Sequence, residues 1–369
     1  MINSARLRQL LLDMIDIYSP SGKEEEVVSY LEAHLTRMGL PFVRQEVEEG
    51  RFNLIVMPDD AEPEVVFVGH VDTVVPAHID AYRPEEDGDT IYGLGSADMK
   101  GGVAAMVEAF AAYLQQHGTL PHAALALVVG EEAAQDGAAR LVDEYSFDWA
   151  IVGEPTHLDP CFSHYGYLEM ELATTGRRVH ASMAGMQTHA VKDMLQVLLG
   201  FGNFMDARYP EIVYNIRDLN STRCGFAAPE RCETAIDMHF PPRFPAGELM
   251  AEIEEQLARH EGVEMELSFI TVRPGYDIPV KGSFPGILQS VYEQLALPWN
   301  PKAFVSDSDA AILWREGIRP VVLGPGRLEE AHTQDESVSF NSVAQAAAIY
   351  LCMLGELGAT QGPGKDQGT

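Results

Sequence analysis

The stretch Val65-Val66-Phe67-Val68-Gly69-His70-Val71-Asp72-Thr73-Val74 decides the fold. Its four leading apolar residues suit a strand covered on both faces, the habit of a parallel sheet packed between helices. Gly69 ends the run, and His70 falls at the carboxyl end, where open α/β sheets place their ligands. His70 and Asp72 are two apart, so in extended chain both side chains point the same way. A carboxylate beside a metal-binding imidazole fixes its tautomer and ring direction.

The same alternation continues outward. A glycine-rich turn, Tyr92-Gly93-Leu94-Gly95-Ser96-Ala97-Asp98-Met99-Lys100-Gly101-Gly102, presents Asp98 just before an alanine-rich helix over 102–116. A buried strand over 123–129 ends on Glu131 and Glu132, a helix covers 137–145, and a strand over 149–152 ends on Glu154. Strand and helix alternating in this way predict a largely parallel α/β sheet. Upstream, Leu7, Leu10, Leu11, Met14 and Ile15 repeat at helical spacing. Ser21 with Glu24 reads as a capping box opening a second helix that stops at Gly39. Strands are expected over 42–47 and 53–57, and the polar, acidic segment over 76–90 reads as a surface loop.

Beyond residue 165 the pattern changes. Leu168, Met170 and Leu172 alternate with polar or small neighbours, the mark of an antiparallel strand with one wet face. Helices over 188–208 and 249–260 and strands over 212–216, 232–240 and 263–272 complete a compact α+β unit. Arg273-Pro274-Gly275 marks the return, followed by a helix over 286–295, the segment 309–315, a strand over 320–323, a loop bearing His332 and a last helix over 343–354. The final segment, 358–369, is rich in Gly, Gln and Thr and is expected to fray.

The chain has 369 residues, enough for about two domains, and its 46% apolar content supplies a core. A net charge of −31 argues against nucleic acid or an anionic membrane as partner. Four cysteines, Cys161, Cys224, Cys232 and Cys352, follow no CxxC pattern and suit a reducing, cytoplasmic setting. No apolar run approaches a membrane span, and Asp13 and Asp16 interrupt what would be a signal-peptide core.

Taken singly, the polar residues have ordinary explanations. An Asp before a helix is by default an N-cap, and a Glu-Glu pair after a strand is by default solvated. The ordered set is different: His70 with Asp72, then Asp98, Gly130-Glu131-Glu132, Gly153-Glu154-Pro155-Thr156 and Ala331-His332-Thr333-Gln334-Asp335-Glu336. In that order and over nearly the whole chain, it resembles the zinc amidohydrolase and peptidase family of acetylornithine deacetylase, succinyl-diaminopimelate desuccinylase, aminoacylase and glutamate carboxypeptidase.

The resemblance implies a discontinuous catalytic di-metal domain, residues 1–165 and 274–369, interrupted by a lid or dimerisation domain over 166–273. It implies two divalent metal ions, zinc first, with cobalt or manganese able to use the same donors. His70 and Glu154 would bind one, Glu132 and His332 the other, and Asp98 both, followed by a cis peptide bond. Glu131 would be the general base, activating a water held between the metals. Asp72 would orient His70, and His180, with His189 as its nearest rival, would stabilise the oxyanion in a partner subunit's site. Asp309 would line the pocket. Two departures bear on substrate. Phe226-Ala227-Ala228-Pro229 stands where many relatives have an asparagine-led turn, and Asp237-Met238-His239 replaces an Asp-x-Arg whose arginine clamps a carboxylate. His239 or Arg243 are the candidate substitutes.

The expected activity is hydrolysis of an amide bond in a small N-acyl amino acid or short peptide by a cytoplasmic homodimer joined through the lid. A dipeptidase or aminopeptidase on the same scaffold, or a non-hydrolytic metal-containing binding relative, are the alternatives. Retention of Glu131 and every expected ligand weighs against the last.

Overall fold

The computed structural model describes residues 1–58, 63–76, 78–186 and 188–360. It contains two compact units, one made of Met1–Phe162, Ile278–Phe304 and Ser308–Thr369, the other of Ser163–Asp277 with Val305–Asp307.

The first unit is built on a mixed sheet with a parallel centre. Its strands run in the order Val43–Glu48, Arg51–Val56, Ala124–Val128, Val65–His70, Trp149–Val152 and Arg319–Val322. Val65–His70 is parallel to both of its neighbours, and Arg319–Val322 is parallel to Trp149–Val152. These central strands are largely apolar and buried because helices cover both faces. Phe67 shows how they are held: its ring meets Phe110 on the helix Gly101–His117 and Tyr350 on the helix Phe340–Thr360, each at 5.6 Å and edge to face. The helix Ser4–Asp16 buries Leu7, Leu10, Leu11, Met14 and Ile15, the stripe its spacing predicts.

Backbone meets backbone at Gly102, Gly153 and Gly324. A Cβ on Gly102 or on Gly324 would strike the carbonyl oxygen of Gly153. These positions need glycine for close approach.

The second unit is an antiparallel sheet in the order Val213–Ile216, Arg231–Phe240, Gly166–Thr175 and Glu264–Arg273, with Asn220–Ser221 pairing on Arg231–Phe240. Leu168, Met170, Leu172, Ile236 and Met238 point to one face. There they pack with Val197 and Phe201 of the helix Ala190–Arg208 and Leu249 and Ile253 of the helix Ala246–Ala258. Among the described residues no helix is long and apolar enough to cross a membrane, and the four cysteines are free thiols.

Several local expectations need correction. The capping box does not form: the second helix is Glu25–Met38, Ser21 Oγ donates to Asp72 Oδ2 at 2.6 Å, and the Glu24 carboxylate takes Arg51 at 2.8 Å. Both side chains have tertiary partners that outcompete the local cap. The segment read as a loop over 76–90 holds a 3-10 turn, Ile79–Tyr82, and the strand Glu85–Asp87. With Thr90–Tyr92 and Ser337–Ser339 that strand makes a small separate sheet. Glu85–Asp87 is wholly exposed, so no apolar alternation marks it. Residue 77 and residues 361–369 of the expected frayed end lie outside the described residues. The last helix runs on to Thr360, well past the predicted end at 354.

Candidate metal centre

Parallel topology brings three strand ends to one edge. Val65–His70 delivers His70 at its last residue, Glu131 and Glu132 follow Ala124–Val128, and Glu154 follows Trp149–Val152. The turn at Ser96–Lys100 adds Asp98, with a cis peptide bond to Met99. The loop before Ser337–Ser339 adds His332, at φ +60°.

His70 Nε2 lies 3.1 Å from Asp98 Oδ1 and 3.6 Å from Glu154 Oε1. On the ring's other side, Nδ1 sits 3.1 Å from the backbone carbonyl of Asp72, which fixes the tautomer by an N–H donated there. The Asp72 carboxylate takes the backbone N–H groups of Glu131 and Glu132 at 3.2 and 3.1 Å. His332 Nε2 lies 3.0 Å from Glu132 and 3.4 Å from Asp98 Oδ2. Gln135 donates to Glu131 Oε1 at 3.2 Å.

The electrostatics follow from crowding acids in a buried site. Burial, Glu132, Asp309 and Asp98 push Glu131 well above the usual carboxylate range, against the pull of His70. Burial and Asp98 do the same to Glu154, and they raise Glu132 against His332. Burial would raise Asp98 as well, but hydrogen bonds to His332 and His70 outweigh it and hold that carboxyl low. His332 is pushed up to about 11 despite burial, because Asp98 and Glu132 both face it.

The site carries the donors a divalent cation needs. His70, Asp98 and Glu154 each offer an atom within 4.8 Å of the others, and so do Asp98, Glu132 and His332, sharing Asp98. Glu154 Oε1 is buried and accepts no hydrogen bond. A buried, unsatisfied carboxylate oxygen facing an imidazole and a second carboxylate is the arrangement a cation relieves. Imidazole and carboxylate donors without thiolate suit zinc, cobalt or manganese.

Asp309 lies buried at the start of the helix Asp309–Arg315 and acts on Glu131 through its charge. The remaining predicted residues belong to the second unit. His180 is exposed, with Nδ1 2.9 Å from Ser182 Oγ. His189 caps the helix Ala190–Arg208. His239 sits on Arg231–Phe240 with its ring against Tyr167, and burial lowers its pKa while Asp237 opposes. That environment disfavours the cationic form a carboxylate clamp requires. Arg243 pairs with Asp277 at 2.9 Å.

Sequence reasoning passed over Ser21, Gln135 and Glu336. Glu336 stood at the end of the motif Ala331-His332-Thr333-Gln334-Asp335-Glu336, where it was given no role of its own.

Peptidase family M20/M25/M40 matches residues 66–356, and the chain belongs to that family. It is therefore a metal-dependent hydrolase of the metallopeptidase and amidohydrolase type. Acetylornithine deacetylase of Vibrio atlanticus (strain LGP32) is 27% identical over 355 residues, 90% of this chain and 92% of that protein. A probable succinyl-diaminopimelate desuccinylase of Staphylococcus aureus (strain MRSA252) is 29% identical over 217 residues, 56% of this chain and 52% of that one. In fold the chain is similar to a tripeptidase from Staphylococcus aureus subsp. aureus Mu50, with a TM-score of 0.80, 21% identity and coverage of 97% and 100%. It is also similar to human carnosine dipeptidase 1, with a TM-score of 0.76, 13% identity and coverage of 96% and 97%.

Proposed function

We propose that this chain hydrolyses the amide bond of a small N-acyl amino acid or short peptide with two divalent ions, zinc in the first instance. The observation that carries the reading is the pair of donor clusters sharing Asp98, with Glu131 beside them. His70, Asp98 and Glu154 would hold one ion and Asp98, Glu132 and His332 the other. When bound, such ions polarise the scissile carbonyl and make water acidic enough to attack at neutral pH.

Glu131 takes the proton of the attacking water and returns it to the departing nitrogen. Burial and the neighbouring acids raise its pKa, which strengthens it as a proton acceptor. Asp72 holds Glu131 and Glu132 by their backbone amides and His70 by its tautomer. His180 is assigned to the oxyanion of a partner subunit in a homodimer formed through the second unit, which acts as the lid. Four free thiols suit a cytoplasmic setting. Similarity to acetylornithine deacetylase over nine-tenths of both chains favours an acyl group over a free amino terminus.

The test is metal content by elemental analysis, paired with hydrolysis of a panel of N-acetyl and N-succinyl amino acids and dipeptides. Chelator-sensitive release of an amine with up to two metals per chain is expected. A preference for dipeptides would move the chain to the dipeptidase reading. Metal without turnover on any substrate would favour the non-hydrolytic one. No metal after reconstitution would overturn the mechanism.

A further inference from the structure

We propose that Glu336 is a positioning residue that keeps Asp98 and His332 in register for metal binding; this rests on the metal-centre reading above. Glu336 is 2% exposed. Its Oε1 accepts the successive backbone N–H groups of Ala97 and Asp98 at 3.0 and 3.1 Å. The turn that presents Asp98 is therefore wrapped around one carboxylate oxygen. The backbone carbonyl of Glu336 takes the N–H of Gly93 at 3.0 Å, and the next residues, Ser337–Ser339, pair with Thr90–Tyr92. One residue thus ties the His332 loop to both ends of the Asp98 turn.

His332 needs such an anchor. Its side chain is 51% exposed, so packing does little to hold it. Its backbone is left-handed, a conformation that non-glycine residues keep only when the surrounding chain imposes it. The loop is closed at its other end by Leu328–Glu330, and Ser337 Oγ donates to Glu330 at 3.1 Å. Between those anchors His332 is set against Asp98 and Glu132. A carboxylate oxygen that receives two amides directly behind Asp98 gives the loop a fixed origin at the site itself.

The experiment is Zn²⁺ titration of metal-free protein by equilibrium dialysis, with thermal unfolding of the same metal-free samples. Glu336→Ala should weaken the ion assigned to Asp98, Glu132 and His332 by about 10–100-fold, the range for residues that orient metal ligands. Glu336→Gln keeps an oxygen that can accept both amides, and should bind close to the unaltered protein. A Glu336→Ala protein that binds as the unaltered one does, even with a lowered melting temperature, would make Glu336 purely structural and overturn the proposal. Should Glu336→Ala not fold, Glu336→Asp takes its place: the shorter side chain should lose affinity, and undiminished binding would overturn the proposal equally. If the unaltered protein itself binds no metal, the metal-centre reading falls first and this one with it.

Discussion

The carboxylate of Asp72 accepts the backbone N–H of Glu132 at 3.1 Å through the same oxygen that takes the Ser21 hydroxyl at 2.6 Å. Its other oxygen takes Glu131 at 3.2 Å. Asp72 therefore does more than orient His70: it sets where both glutamates leave the strand end. Asp72→Asn would turn an NH₂ group toward one of those donors. Turnover is expected to fall about 10–100-fold, the range for residues supporting metal ligands, with the circular dichroism spectrum unchanged. Undiminished turnover would remove Asp72 from the machinery.

Glu131→Gln should keep its metal and lose about 10²–10⁴ of turnover, the usual contribution of a positioned base. Metal analysis and a rate on the best panel substrate decide it together. Near-normal activity would leave proton transfer to another group.

His332→Ala should lower the metal bound per chain. The folded protein is expected to survive the change, because the side chain is half exposed and little packing is lost. A metal stoichiometry equal to that of the unaltered protein would contradict the assignment.

Stability should depend on acid through His34. Burial lowers this imidazole to about 4, with Arg37 and Arg6 adding to the shift and Asp13 opposing it. Its unfolded value is near 6.5. Between those values the unfolded chain binds the proton and the folded one does not. The contribution is present above about pH 6.5 and is lost as pH falls toward 4. Urea midpoints across this window should fall less steeply for His34→Gln than for the unaltered protein, a difference of roughly 1–3 kcal/mol. Parallel curves would show that the ring is protonated freely in the folded state.

The strand that ends on His70 was legible because buried parallel strands are runs of apolar residues, and the helix Ser4–Asp16 was legible from its spacing. The α/β sheet and the separate antiparallel unit followed from the same periodicities. Ser21 was misread because a cap and a long-range hydrogen bond use the same side chain. Propensity sees only the local option. Glu85–Asp87 was missed because both its faces are wet. Within the site, the side chains that converge at the strand ends each stood next to an apolar run. Glu336 did not: it acts through the amides of Ala97 and Asp98, more than two hundred residues earlier, and no spacing announces such a contact.

The meeting of Gly102, Gly153 and Gly324 fixes one dimension of the site in the main chain. Gly102 is the second residue of the helix that follows Asp98, and Gly153 immediately precedes Glu154. With no side chain between them, rotamer hops on the picosecond to nanosecond scale cannot widen or narrow the gap from which those two carboxylates start. The spacing behaves as a rigid ruler, and whatever elasticity the centre has must reside in the side chains that reach out from it.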